Sequence, residues 1–212
     1  MATDVLERLK WRYATKKFDA SKRLSEEKLS ILKESFNLTA TSYGLQPLKM
    51  IILSNPDLKK LLVPITMDQD QVENASHVLV ICTETKIDSD YIKDHFNLVV
   101  KIRSTPREIL SSFEEYLVSS FSDKQSDELN IWSTNQAYLA LGNLLTVCAI
   151  EKIDACPIEG FDPDKYDELL QLNEKGLQSV IVLAVGYRAE DDMFSGFDKV
   201  RKGVDEVIIE MD

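Results

Sequence analysis

The 212 residues include 25 basic and 36 acidic side chains, a formal charge of −11, with 44% hydrophobic and 29% charged residues. That charge repels nucleic acid and anionic membrane surfaces within about a Debye length, and the composition is that of a folded chain rather than a disordered one. The length suits one domain spanning 1–212, and the longest apolar runs, Val78 to Cys82 and Val180 to Val185, fall far short of the roughly 20 residues that cross a bilayer.

Met1 to Lys10 scatters Asp4, Glu7, Arg8 and Lys10 among apolar residues, whereas a signal peptide needs a basic stretch followed by an unbroken apolar one. Export is not expected. Ser25 followed by Glu26 and Glu27 reads as a capped helix start, with Leu24 stapled to Leu29 and an apolar face of Leu29, Leu32 and Phe36. Met50 to Leu53 and Val78 to Cys82 are short, β-rich and bounded by polar residues, so both are expected as central strands. His77 precedes the second strand and His95 falls on a helical stretch, and both read as structural.

Thr105-Pro106-Arg107-Glu108 predicts a capping box with proline at the first helical position and a helix to about Ser122. From Asn130 to Ile150 the apolar residues Ile131, Trp132, Ala137, Tyr138, Leu141, Leu144, Leu145, Val147 and Ile150 point nearly all round a helix, which must therefore be buried on most sides. Val180 to Val185 is a further strand, and Val207-Ile208-Ile209 could add another. Strands separated by helical stretches imply a helix-covered sheet, α/β or α+β. Cys82, Cys148 and Cys156 are odd in number and two lie in apolar runs, which points to a reducing, cytoplasmic setting.

Two histidines and unpaired cysteines are too few for most zinc sites. No nucleophile elbow, Walker loop or G-x-G-x-x-G fingerprint is present, so a bound nucleotide must be held by side chains. Arg12 and Lys16 near one end, with Lys199 and Arg201 near the other, are the candidates, because guanidinium and ammonium groups together can neutralise a phosphomonoester. Singly, each also suits a solvated surface. Pro157-Ile158-Glu159-Gly160-Phe161-Asp162-Pro163 combines a rigid residue, a glycine that permits close backbone approach and a helix start. It reads either as a backbone cradle or as an ordinary loop before a helix.

Arg12-Tyr13-Ala14-Thr15-Lys16-Lys17-Phe18-Asp19, Gln46-Pro47, Asn74-Ala75-Ser76-His77, Trp132 to Tyr138, Pro157 to Asp162 and Lys199-Val200-Arg201 occur in one order along the chain. Together they resemble the nitroreductase family of FMN-dependent NAD(P)H oxidoreductases, in particular its oxygen-insensitive nitroreductase, flavin reductase and dihydropteridine reductase branch. The resemblance implies an α+β fold with a central, mainly antiparallel sheet wrapped by helices in an intertwined homodimer. It implies FMN as cofactor, NADH or NADPH as donor, and a quinone, nitroaromatic, flavin or dihydropteridine as small-molecule acceptor.

By that resemblance Arg12, Lys199 and Arg201 hold the FMN phosphate, flanked by Tyr13 and Ala14, and Lys16 lies near the N1 and O2 edge of the flavin. Pro157 and Ile158 lead to the Glu159 and Gly160 amides at the N5 and O4 edge, and Asp68 and Gln71 read the pyrimidine edge. Thr41, Ser42, Gly44 and Gln46 come from the partner chain. Lys16, Glu159 and Gly160 are thus the groups expected at the reacting ring, and one aromatic among Phe113, Tyr116 and Phe121 covers the substrate. The chain departs from the family pattern in having Ala14 for serine, Gly44 for asparagine and Asp68 for asparagine. Two other outcomes are compatible with the same fold: a flavin-binding protein with little turnover, and a specialised relative that fragments flavin or removes halogen.

Overall fold

The computed structural model describes residues 2–211. Helix α1 (Ala2–Trp11) is followed by an irregular stretch and then by α2 (Glu26–Asn37), which starts where the Ser25 side chain accepts a hydrogen bond from the Lys28 amide at 3.3 Å. Leu24, Leu29 and Leu32 are buried beneath it, as the staple and the apolar face require. Strand β1 (Leu48–Leu53), helices α3 (Pro56–Leu62) and α4 (Gln71–Asn74), and strand β2 (His77–Glu84) complete the first half. Then come α5 (Ser89–Arg103), α6 (Arg107–Ser122), α7 (Ser126–Ile150), β3 (Asp154–Ile158), α8 (Pro163–Leu169), β4 (Leu177–Gly186) and a single turn, α9 (Val204–Val207).

The four strands lie in the order β1-β2-β4-β3 and every pairing is antiparallel. Val78, Val80 and Cys82 of β2, with Val182 and Ala184 of β4, enter one core with Leu62, Val72 and Tyr166. Leu79, Ile81, Ile181, Leu183 and Val185 enter the other with Leu32, Ala137, Leu141 and Leu144. Side chains alternate across a strand, so a sheet covered on both faces needs strands that are apolar at every position. That is why these two strands read as unbroken apolar runs. A third core of Leu45, Ile92, Phe96, Leu117 and Phe121 joins α5 and α6 to the start of α7.

Several boundaries differ from the sequence expectation. Pro106 caps α6 instead of opening it, and no side chain caps that end, so the predicted box does not form. Helix α7 begins at Ser126, where the Glu128 carboxylate accepts from the Gln125 amide at 2.8 Å. Glutamine is not among the usual capping residues, which hid this start. Pro157 and Ile158 lie in β3 and not in a loop; β3 is a sheet edge, where proline is tolerated. Val207 ends α9, and Ile208-Ile209 pairs with no strand among the described residues. Burial of α7 is incomplete within one chain, since Ile131, Leu139 and Ile150 remain exposed.

Lys59 is 2% exposed, and its ammonium donates to the carbonyls of Glu73, at 2.8 Å, and Ala75 at the end of α4. Burial, then the charge of Arg23, push it down from 10.5 to about 8. Between those values the unfolded chain binds a proton that the folded chain does not, so stability rises with pH there. Relative to Lys59→Met, the parent chain is expected to gain on the order of 2 kcal/mol between pH 8 and 10.5. Urea unfolding of both proteins across this range checks it; a constant difference would contradict it.

Candidate active site

After α1 the chain runs along the outer edge of β3. Ala14 bridges Ala155 in parallel, with the Thr15 amide on the Ala155 carbonyl at 3.2 Å. Phe18 then bridges Arg188 just beyond β4. The Arg188 guanidinium lies 4.5 Å from both the Trp11 and the Tyr13 ring centroids, while its Nε donates to Asp154 at 2.7 Å. The Tyr13 hydroxyl donates to Asp192 at 2.7 Å, and burial, followed by that bond, raises the phenol above its ordinary pKa. Burial would raise the Asp192 carboxyl in turn, but its hydrogen bonds from Tyr13 and from backbone amides outweigh this and hold it below the usual range.

This arrangement brings Arg12, Tyr13, Ala14, Lys16, Lys199 and Arg201 to one cleft of about 600 Å³. Lys199 donates its ammonium to the Arg12 carbonyl, and Arg201 donates to the Val200 carbonyl at 2.6 Å. Nearby cations are paired, Arg8 with Asp4, Lys10 with Glu7 and Lys17 with Asp191. Among the described residues no carboxylate pairs with Arg12, Lys16, Lys199 or Arg201. Burial and then the charge of Arg201 lower the Arg12 pKa; burial, Arg12 and Arg201 do the same to Lys199. Cations gathered without a counter-charge repel one another, and an anion is the partner this cleft fits.

The Glu159-Gly160 turn follows β3 and is held from three sides. The Glu159 carboxylate accepts from the Tyr138 hydroxyl of α7 at 2.7 Å, the Gly160 carbonyl accepts from Gln69 Nε2 at 2.9 Å, and the Asp162 amide donates to Ile65 at 2.8 Å. A Cβ on Gly160 would sit 3.0 Å from Met67 Sδ and 3.2 Å from Gln69 Nε2, so glycine lets the 66–69 loop close on the turn. Neither the Glu159 nor the Gly160 amide donates to another described residue. Asp68, exposed and at φ 55°, and half-exposed Gln71 flank Gln69. Asp162 caps α8 through the Lys165 amide, with Pro163 at its first turn.

Thr41, Ser42, Gly44 and Gln46 form a tight turn elsewhere. The Thr41 hydroxyl accepts from the Gln46 amide at 3.1 Å, Gln46 Nε2 donates to Asn37, and the Ser42 amide donates to Gln136. Gly44 has φ +72°, a left-handed conformation that asparagine adopts less easily than glycine. Thr41 and Gln46 line a separate cleft of about 470 Å³ with Lys33, Asn37 and Met50. It shares no residue with the cation cleft.

A sequence model of the Nitroreductase family matches residues 9–187. The chain belongs to this family. The Bacillus subtilis protein YfkO, provisionally named an NAD(P)H nitroreductase, is 32% identical over 98% of this chain and 97% of its own length. The major NAD(P)H-flavin oxidoreductase of Aliivibrio fischeri is 29% identical over 98% of the chain and 99% of its own. A crystal structure of an Exiguobacterium sibiricum protein, provisionally named a nitroreductase and complexed with FMN, superposes with a TM-score of 0.85 at 21% identity, covering 100% and 99% of the two chains. At that identity the likeness shows the shared fold.

Lys199 and Arg201 lie beyond the matched span, and only the folded chain brings them to Arg12. Of the three candidate covering aromatics, Phe121 is 2% exposed and packs edge-on against Trp132. Phe113 and Tyr116, 47% and 57% exposed, are left accessible, stacked on each other with Phe113 against Tyr43. Cys156 is buried, and burial raises its thiol despite nearby Lys16, which leaves it poorly nucleophilic. The sequence marks none of Asp192, Tyr138 and Gln69 as a site residue. Asp192 closes an acidic run that reads as solvated surface, Tyr138 counts among the apolar positions of α7, and nothing local marks Gln69.

Proposed function

We propose that this protein is an FMN-dependent NAD(P)H oxidoreductase that works as a homodimer on small organic acceptors. The reading is supported above all by the unpaired cations Arg12, Lys199 and Arg201 in one cleft, and also by the two free backbone amides of the Glu159-Gly160 turn. FMN held here would supply the redox chemistry, a two-electron carrier between NAD(P)H and a quinone, nitroaromatic, flavin or dihydropteridine. The three cations hold its phosphate by charge-assisted hydrogen bonds. Lys16, exposed in the same cleft, supplies positive charge at the N1 and O2 edge, where negative charge grows on reduction. Glu159 and Gly160 offer their amides to the N5 and O4 edge, and Asp68 and Gln71 face the pyrimidine side. Donor and acceptor occupy the same face in turn, in ping-pong order, beside Phe113 and Tyr116.

Thr41, Ser42, Gly44 and Gln46 serve the flavin of the partner chain, because their turn opens on a cleft separate from the cations of its own chain. Pairing also covers Ile131, Leu139 and Ile150 of α7. The purified protein is expected to be yellow, to release FMN and not FAD on denaturation, to oxidise NAD(P)H with menadione, and to sediment at twice the chain mass. Protein that stays colourless with added FMN refutes the cofactor, and bound FMN without menadione turnover refutes the activity. A monomer retaining one FMN per chain refutes the shared site.

A further inference from the structure

We propose that Asp192 is a positioning residue that joins the two halves of the cation cleft and sets the place of Lys16. The proposal rests on the FMN reading above. One carboxylate oxygen accepts from the Tyr13 hydroxyl at 2.7 Å and from the Lys16 and Lys17 amides at 3.0 Å each, and the other accepts from the Phe194 amide at 3.0 Å. The residue is 4% exposed. The Lys17 ammonium pairs with Asp191 and not with Asp192. Asp192 therefore faces four neutral donors; three of these bonds tie the segment bearing Arg12 and Lys16 to the strap that continues to Lys199 and Arg201, and the fourth, from Phe194, fixes the carboxylate within the strap.

Only a group with two accepting oxygens can satisfy both sides. Asparagine has the same shape but one accepting oxygen, so in Asp192→Asn either the Lys16 and Lys17 amides or the Phe194 amide meet an NH2 donor. The change falls outside the three hydrophobic cores, so the fold persists while the cleft loosens. The sign of the flavin potential separates the possible roles. If Asp192 acted only by its own charge, removing that negative charge would favour the reduced, anionic flavin and raise the potential. If it acts through Lys16, displacing the ammonium lowers the potential. A purely structural role leaves the potential of the bound fraction unchanged.

The test uses FMN-loaded full-length protein, after parental FMN binding has been established by titration. A parent that binds no FMN fails the functional reading, separately from this proposal. Asp192→Asn is expected to weaken FMN binding about tenfold, to lower the midpoint potential of bound FMN, and to leave the apoprotein unfolding midpoint within a few degrees of the parent. In the double variant Asp192→Asn with Lys16→Met the potential falls no further than in Lys16→Met alone, because the two changes act on one interaction. A raised or unchanged potential, or additive shifts, overturns the proposal. If Asp192→Asn does not fold, the same cycle run with Asp192→Glu, which keeps the charge but moves the carboxylate by one methylene, gives the same decision.

Discussion

Alanine at both Arg12 and Arg201 is expected to raise the Kd for FMN by at least about a hundredfold. A hydrogen bond to a charged group contributes roughly 1.5–3 kcal/mol, and each 1.4 kcal/mol is about tenfold in affinity, so losing two such contacts exceeds two orders of magnitude. The same variant should be no less stable than the parent without cofactor, because burial and then repulsion from neighbouring cations lower the pKa of Arg12 and of Lys199, and removing two of the three charges relieves that repulsion. Affinity and stability thus move in opposite directions, which a general loss of structure cannot imitate. Lys17→Ala is the control: Lys17 is exposed, pairs with Asp191 and does not line the cleft. Fluorescence titration of FMN with thermal unfolding of the apoprotein measures both quantities. Equal losses in the control and the double variant would show that the phosphate lies elsewhere.

Lys16→Met should retain much of its FMN but reduce it ten- to a hundredfold more slowly with NAD(P)H, an increase of about 1.4–2.7 kcal/mol in the barrier. Lys16 lies in the cleft without a carboxylate partner and its backbone is pinned by Asp192, so its side chain is free to meet charge that develops during reaction. An interaction stronger in the transition state than in the ground state alters rate more than affinity. Stopped-flow reduction of the FMN-saturated variant measures this directly. Reduction at the parental rate would leave Lys16 as a binding or surface residue and remove the one side chain assigned to the chemistry.

The fold was legible where its signals are local. Ser25 capping α2, Asp162 and Pro163 opening α8, and the apolar runs that became β2 and β4 all rest on interactions spanning a few residues or on side-chain alternation. Strand β3 escaped because five residues that include Pro157 carry little β pattern, and its pairing with β4 comes from a partner nearly thirty positions away. Val207 to Ile209 shows the converse: apolar, β-branched residues are necessary for a strand but do not provide a neighbour to pair with.

The sequence by itself determined the family resemblance, the alternation that buries both faces of the sheet, and the presence of cations at both ends of the chain. Tertiary structure decided which of them meet. Arg12 and Lys199 are 187 positions apart yet in contact, and that depends on the path of the chain along the β3 edge and on one buried carboxylate, Asp192, indistinguishable in sequence from its acidic neighbours Glu190 and Asp191. Burial likewise separated Phe121 from Phe113 and Tyr116, three aromatics of one helix. Composition and periodicity record what each residue can do, whereas burial and long-range hydrogen bonding are properties of its surroundings and exist only once the chain has closed.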